Sequence, residues 1–257
     1  VLAEERQSLI LNMVNQRGSL SITEIQRKLR VSRETVRRDL ILLADRQALR
    51  KTHGGALSLE RSEPEIAVRE VTNAEGKRAI GQLAVSLVPD GASVILTGGS
   101  TVQSVADALQ ERQGLTVFTN SVFNCMRLMG RNRNRVMLLG GEVQAINGAA
   151  VGSDATATLS RYFADFAFIG AGAISPSGWL MDYTREESEL LSLVLRSSRT
   201  SIVVADHSKF NKYAPVRVEN FEKVTHLVTD RPPPAPANEA LAALPLKLLV
   251  CNDTVRR

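Results

Sequence analysis

Residues 32–40 read Ser32-Arg33-Glu34-Thr35-Val36-Arg37-Arg38-Asp39-Leu40, and the spacing of their apolar members decides how the first sixty residues fold. Val36, Leu40 and Leu43 recur at i, i+4 and i+7, a single apolar stripe on a helix. On that helix Glu34 and Arg38 face away from the stripe, and Thr35 and Arg37 flank it. Ser32 stands at the N-cap, where a hydroxyl accepts from the backbone of the first turn. Arginines near a helix start suit a DNA major groove. A guanidinium forks onto guanine or phosphate, and the cap reaches the DNA backbone. The bland alternative is a solvated, charged helix in a small helical subdomain; the flanking sequence argues against it.

Upstream, Leu9, Ile10, Met13 and Val14 give an amphipathic helix over 6–16, broken at Gly18. Ser21-Ile22-Thr23-Glu24 is a capping box, Ser at the cap and Glu three later. It opens a second short helix with Ile25 and Leu29 inward, and Arg30-Val31 leads directly to Ser32. Downstream, 49–52 and 56–59 are short strand candidates around His53-Gly54-Gly55, a hairpin signal. The order is helix, helix, turn, recognition helix, wing. Its candidate DNA-binding residues are Ser32, Arg33, Glu34, Thr35, Arg37, Arg38, Arg50, Lys51 and His53.

Charge supports this placement. The 257 residues carry 32 Lys/Arg and 27 Asp/Glu, a net charge of +5. Residues 1–61 hold 12 basic and 7 acidic side chains, also +5, so the remainder is neutral. A basic module on a neutral body is the electrostatic footprint of nucleic-acid binding. The run Arg131-Asn132-Arg133-Asn134-Arg135 reads as a solvated loop. Cys125 and Cys251 lie far apart without CxxC or Cys/His spacing, so neither a disulfide framework nor a zinc site is expected. His53, His207 and His226 suggest neither a metal site nor a catalytic relay; no metal, cofactor or catalytic residue is assigned. No apolar run approaches the ~18 residues of a membrane span, and no secretory leader is expected. The chain opens on Val1 rather than Met, so a few residues are expected to be missing. A cytoplasmic setting is expected.

The expected divisions are a DNA-binding domain at 1–57, a polar linker at 58–75 with room for one short helix, and an α/β domain at 76–257. In the last, a helix over 79–88 precedes strand candidates at 93–97, 116–119, 136–139, 166–169, 201–205, 226–229 and 247–250. Helices are expected at 101–110, 122–129, 154–162 and 186–197. Strands alternating with helices imply βαβ units and a mostly parallel sheet. Small and polar residues gather at the strand ends: Thr97-Gly98-Gly99-Ser100-Thr101, Thr119-Asn120-Ser121, Gly140-Gly141, Gly170-Ala171-Gly172, Ala205-Asp206-His207-Ser208-Lys209 and Thr229-Asp230. In an open α/β sheet that edge binds ligands. Gly98-Gly99-Ser100-Thr101 ends a strand and opens a helix, a turn suited to an anion, although a merely tight βα turn reads the same way. It is neither a P-loop nor a GxGxxG fingerprint. Lys209 is a candidate positive charge there, or else a surface lysine. Trp179 and Tyr183, around Met181-Asp182, read as core or rim rather than an aromatic cage.

With these residues in view, the whole chain resembles the DeoR family of bacterial transcriptional repressors. The motifs that carry the resemblance are 31–40, Arg50-Lys51-Thr52-His53-Gly54-Gly55-Ala56, the loop at 97–101, Thr119-Asn120-Ser121, Leu139-Gly140-Gly141, Phe168-Ile169-Gly170-Ala171 and Ala205-Asp206-His207-Ser208-Lys209-Phe210. Leu180-Met181-Asp182-Tyr183 and the Glu-rich helix after it look most like the branch with glycerol-3-phosphate repressors. Three positions depart from the family pattern: Gln47 replaces a common Gly, Thr97-Gly98-Gly99 a common Asp-Ser-Gly, and Leu191 a common Lys. The loop change bears on which effector is bound.

The resemblance implies a winged helix-turn-helix followed by an α/β sensor domain similar in fold to ribose-5-phosphate isomerase and CoA transferases. The expected partners are double-stranded operator DNA and a phosphorylated sugar or polyol, in a homodimer or homotetramer. The expected effector-binding residues are Gly98, Gly99, Ser100, Thr101, Asn120, Ser121, Gly141, Gly170, Asp182, Asp206 and Lys209. The isomerase carries an Asp-Gly-Ala-Asp-Glu segment. The matching stretch here is Ile169-Gly170-Ala171-Gly172-Ala173, without its acids. Proton abstraction needs a positioned base, so a pocket that binds without catalysis is expected. The alternatives are a DNA-tethered phosphosugar isomerase and an effector-independent architectural protein. The lost acids weigh against the first and the polar strand ends against the second.

Overall fold

The computed structural model describes residues 3–17, 19–46, 48–52, 54–58 and 63–251. Two compact units divide between Pro64 and Glu65.

The first unit contains α1 (Ala3–Arg17), β1 (Ser19–Ser21), α2 (Ile22–Leu29), α3 (Arg33–Asp45), β2 (Leu49–Lys51) and β3 (Gly55–Ser58). The capping box forms as its spacing predicts: Glu24 N–H donates to Ser21 Oγ at 3.2 Å, and Ser21 N–H to Glu24 Oε2 at 2.9 Å. Arg30 ends α2 in the left-handed region, φ 55°. That single αL residue makes the sharp turn into α3. Val36, Leu40 and Leu43 pack with Ile10, Val14, Ile25 and Leu49 in one core. Each fully buried aliphatic side chain there stabilises the unit by about 1.5–3 kcal/mol. The hairpin expected from the glycines is present, with Arg50 opposite Leu57 and Lys51 opposite Ala56. The three residues of β1 were not foreseen. They make β3 the centre of a three-stranded antiparallel sheet, order β1-β3-β2. Gly55 permits that pairing, since a Cβ on it would lie 2.0 Å from Leu20 O.

The second unit begins with α4 (Ile66–Val71) and α5 (Ala74–Val85). Part of the stretch read as linker is therefore helical. Ile66 and Arg69, one turn apart, are buried; one apolar and one charged residue give no apolar period to read in the sequence. Then follow β4 (Ser93–Leu96), α6 (Ser100–Ala108), β5 (Thr116–Thr119), α7 (Val122–Leu128), β6 (Arg135–Leu138), β7 (Glu142–Gln144), β8 (Ala149–Val151), α8 (Ser153–Leu159) and β9 (Ala164–Gly170). The chain continues through β10 (Ala173–Ile174), β11 (Leu180–Asp182), α9 (Arg185–Arg196), β12 (Ser198–Val204), β13 (Val216–Arg217), β14 (His226–Thr229), α10 (Ala237–Ala242) and β15 (Lys247–Val250). Seven strands form one parallel sheet, order β15-β14-β12-β9-β4-β5-β6. Alternate residues feed two cores. Val94, Leu96, Phe168, Ile202 and Val204 pack on one face; Ile95, Ala167, Ile169 and Val203 pack on the other. Burial on both faces explains why these strands read as continuous apolar runs. The short hairpin β7-β8 and the small antiparallel sheet β10-β11-β13 were not foreseen.

Candidate functional site

In the first unit α3 separates its two faces. Arg33, Glu34, Arg37 and Arg38 are exposed, Thr35 is partly so, and Val36, Asp39 and Leu40 are buried. Ser32 Oγ accepts from Thr35 N–H at 3.1 Å and lies 2.8 Å from the Thr35 hydroxyl. Arg38 pairs loosely with Glu34, Nε to Oε1 3.6 Å. Asp39 turns inward and takes Arg6 and Gln7 of α1. Thus α3 is anchored from behind while two arginines stay available in front. On the hairpin Lys51 is exposed and Arg50 half-buried, its Nη1 3.5 Å from Glu63 O. His53 and Gln47 lie outside the described residues.

In the second unit the candidate residues lie along the carboxyl edge of the parallel sheet, apart from Asp182, which ends β11 of the small antiparallel sheet. Gly99, φ 113°, caps α6, and no side chain bonds to the helix start. Its first-turn N–H groups have no intrahelical acceptor. Nothing lies within 4 Å of where a Gly99 Cβ would stand, so the turn is open to an incoming group. Ser100 and Thr101 are almost buried. Neighbouring strands brace the turn. Gly170 N–H donates to Thr97 Oγ1 at 3.2 Å, and a Cβ on Gly170 would sit 3.2 Å from Gly98 O. Asn124 Nδ2 donates to Thr97 O at 2.9 Å.

The other candidates divide into two groups. Asn120 donates through Nδ2 to Ala150 O at 2.9 Å, while its buried Oδ1 has no protein partner. Gly172 packs on β11, and a Cβ there would lie 3.0 Å from Asp182 Cα. Lys209 Nζ reaches Gly172 O at 3.4 Å, so Lys209 and Asp182 both border Gly172. By contrast Ser121 is wholly buried and caps α7, its Oγ accepting from Asn124 N–H. Gly141, φ 127°, packs against β8 and α8: a Cβ on it would lie 3.2 Å from Val151 O and 3.7 Å from Ala155 N. Asp206 is also buried; it faces Lys77, Nζ to Oδ2 3.8 Å.

Asn124 and Lys77 at this edge were not singled out in the sequence, and Asp230, read only as a polar strand end, was given no role. Asn124 is fully buried. Asp230 accepts from His207 Nδ1 at 2.7 Å and from Asn73 Nδ2 at 3.1 Å. Burial opposes its charge, but the hydrogen bonds from His207 and Asn73 outweigh it and hold the carboxyl below its usual range. Lys77 had a visible signal: it sits on the buried stripe with Ile80, Gly81 and Ala84. Away from the strand ends, a groove of about 410 Å³ runs between α4, α5, α6 and α7, with Glu70, Arg78, Asp107 and Arg127 on its walls. Ser100 is its sole candidate effector residue. Among the described residues no cluster of His, Cys, Asp and Glu could hold a metal ion, and no helix is long and apolar enough to cross a membrane.

With this geometry the chain can be set beside known proteins. The profile of the DeoR-like helix-turn-helix domain matches residues 6–62, and that of the DeoR C-terminal sensor domain matches residues 72–231. The chain is 34% identical over 252 residues to a glycerol-3-phosphate regulon repressor of Haemophilus influenzae, covering 98% of each protein. It is 31% identical to the HTH-type transcriptional repressor CsqR of Escherichia coli, covering 96% of this chain and 95% of that one. Against the HTH-type transcriptional repressor GlcR of Bacillus subtilis the identity is 33%, over 90% and 89% of the two chains. Among solved structures, ribose 5-phosphate isomerase A from Methanocaldococcus jannaschii aligns over 54% of this chain and 55% of its own, with 21% identity and a TM-score of 0.40. The chain belongs to the DeoR family of transcriptional regulators, a DNA-binding helix-turn-helix joined to a DeoR sensor domain.

Proposed function

We propose that the protein is a cytoplasmic repressor of a sugar or polyol catabolic operon, released or engaged by a phosphorylated sugar or polyol. Residues 1–57 hold the operator, through Arg37 and Arg38 of α3 and Arg50 and Lys51 of the wing. Residues 76–257 bind the effector and assemble the protein as a homodimer or homotetramer, which suits repeated half-sites. The observation that carries the effector reading is the Gly99 turn: an open glycine cap at a helix start with unpaired N–H groups. A phosphate dianion benefits there from both the hydrogen bonds and the helix dipole. Asn120 follows β5, the strand beside β4, and Lys209 follows β12, two strands from β4 on the other side; in this reading they meet the effector's hydroxyls or phosphate.

The unit is a sensor and not an enzyme in this reading. The stretch 169–173 carries no acid, and a Cβ on Gly172 would lie 2.9 Å from Met181 O, so no larger side chain fits there. The experiment is calorimetry of the full chain with glycerol 3-phosphate and a panel of sugar phosphates, each beside its unphosphorylated parent. A gel shift on DNA upstream of the neighbouring catabolic genes accompanies it. At least one phosphorylated compound is expected to bind and to change operator affinity. Equal binding of the unphosphorylated parent would remove the phosphate from the Gly99 turn.

A further inference from the structure

Helix α4 is the first element after Pro64, where the two units divide. It has six residues, far fewer than an isolated helix needs to persist. Tertiary contacts must therefore hold it, and those at its C-terminal end converge on one place. The ammonium of Lys77 donates to Arg69 O, and to Thr72 O at 2.6 Å. These carbonyls belong to the last turn and the C-cap, where acceptors lack intrahelical donors and a cation is favourable. Asn73, left-handed at φ 53°, forms the corner between α4 and α5. Its Nδ2 donates to Asp230 Oδ2 at 3.1 Å and lies 3.3 Å from His207 Nδ1.

Lys77 is 3% exposed. A buried ammonium requires a counter-charge, and Asp206 Oδ2 is 3.8 Å away. Burial pushes the Lys77 pKa down, and Asp206 works against that shift. Asp206 and His207 are consecutive residues at the end of β12, and Lys209 lies two further on. The 206–209 turn thus has two sides. Asp206 and His207 hold the α4–α5 corner, while Lys209 Nζ reaches toward Gly172 O at the strand ends. His207 N–H also donates to Asp230 Oδ1 at 2.7 Å, tying the turn to β14.

We propose that the 206–209 turn is the coupling element of the protein: an anion drawn to Lys209 shifts the turn, weakens the Asp206–Lys77 and His207–Asp230–Asn73 grip, and frees the C-terminal turn of α4. Lys77 and Asn73 are positioning residues in this device and touch no ligand. The proposal rests on the effector reading given above. It adds the route by which an occupied strand edge alters the segment that leaves the DNA-binding unit. A ligand moves such an equilibrium only by its differential affinity for the two arrangements.

The test uses the full chain with Lys77→Met and Asn73→Gly. Methionine suits a buried apolar site, and glycine keeps the left-handed corner while removing the amide. Without ligand, hydrogen exchange at Arg69–Thr72 amides is expected to speed up at least about tenfold in both variants. The β4 amides should stay unchanged. In calorimetry the variants should bind the phosphorylated compounds, glycerol 3-phosphate first, as wild type does. Their operator affinity should then move less than about twofold, against at least about tenfold in wild type. A full operator response in both variants, or unaltered α4 exchange, overturns the coupling. If wild type gives no calorimetric signal with any phosphorylated compound, the effector reading fails. The exchange arm by itself then upholds or overturns the grip of Lys77 and Asn73 on α4.

Discussion

Asp39, the last charged residue of the Arg37-Arg38-Asp39 run, is buried and accepts both Arg6 Nε at 2.5 Å and Arg6 Nη2 at 3.0 Å. Three consecutive charges thus serve opposite ends: two arginines outward and one carboxylate inward, fixing α3 against α1. Asp39→Ala removes the carboxylate that holds the part-buried Arg6 and the Gln7 amide of α1 against α3. Asp39→Ala is expected to lower the melting temperature of the first unit by on the order of 10 °C. Operator binding should fall with it. Differential scanning calorimetry of the full chain reads both units, and an unchanged first transition would disprove the anchoring role.

Arg38→Ala separates folding from recognition. Its bond to Glu34 is a solvent-exposed i,i+4 pair at 3.6 Å, worth roughly 0.3–0.5 kcal/mol at most. Stability should therefore hardly change. Operator affinity should drop by roughly 1–3 kcal/mol if the guanidinium reads a base. Wild-type affinity should fall with salt as counterions are released. Anisotropy titrations that leave Arg38→Ala at wild-type affinity would refute the assignment of α3 as the reading helix.

The parallel sheet was legible because its strands are short apolar runs, six of the seven followed within two residues by Gly, Ser, Thr or Asp. All seven strand candidates pair within it, shifted by up to three residues at their ends. The two- and three-residue strands β1, β7 and β10 were not legible: β1 pairs with β3 far along the chain, and β7 and β10 are too short to show an alternation before their hairpins close. At the strand ends the backbone turn could be read at Gly98-Gly99, since glycine there has a conformational reason. The roles of Ser121 and Asp206 could not. Their types suit a ligand equally well, but burial assigns one to capping α7 and the other to Lys77. Lys77 and Asn124 share the opposite history: polar residues on inward helix faces whose partners are backbone carbonyls, of the preceding helix α4 for Lys77 and of the β4 end for Asn124.

Asp230 gives a pH prediction. Its folded pKa lies below the ordinary value, because the hydrogen bonds from His207 and Asn73 outweigh burial. A depressed carboxyl stabilises the fold fully above its unfolded value of about 4 and loses that contribution as pH falls through the folded value. Asp230→Asn should therefore melt below wild type at neutral pH. The gap should narrow as pH drops under about 4. Thermal melts of both proteins across that window check it; a gap that is constant down to the lowest pH excludes Asp230 as its source.

Gly99→Asp tests the effector turn most directly. Gly99 has φ 113°, a region L side chains rarely adopt, so some local strain is expected. The space beside it is open, so the side chain meets no protein atom within 4 Å of its Cβ. What it adds is a carboxylate at the start of α6. There it competes for the same N–H groups and repels an incoming phosphate. The first unit, with its own core, should remain folded. The expected phenotype is a repressor that binds operator with wild-type affinity and no longer responds to the phosphorylated effector. Gly99→Ala separates charge from strain, since it carries the same backbone cost without the carboxylate, and it should keep at least part of the response. Operator titrations with and without effector read both variants. If Gly99→Asp responds like wild type, the phosphate does not sit on this turn. The groove walled by Arg78 and Arg127 then becomes the next place to look.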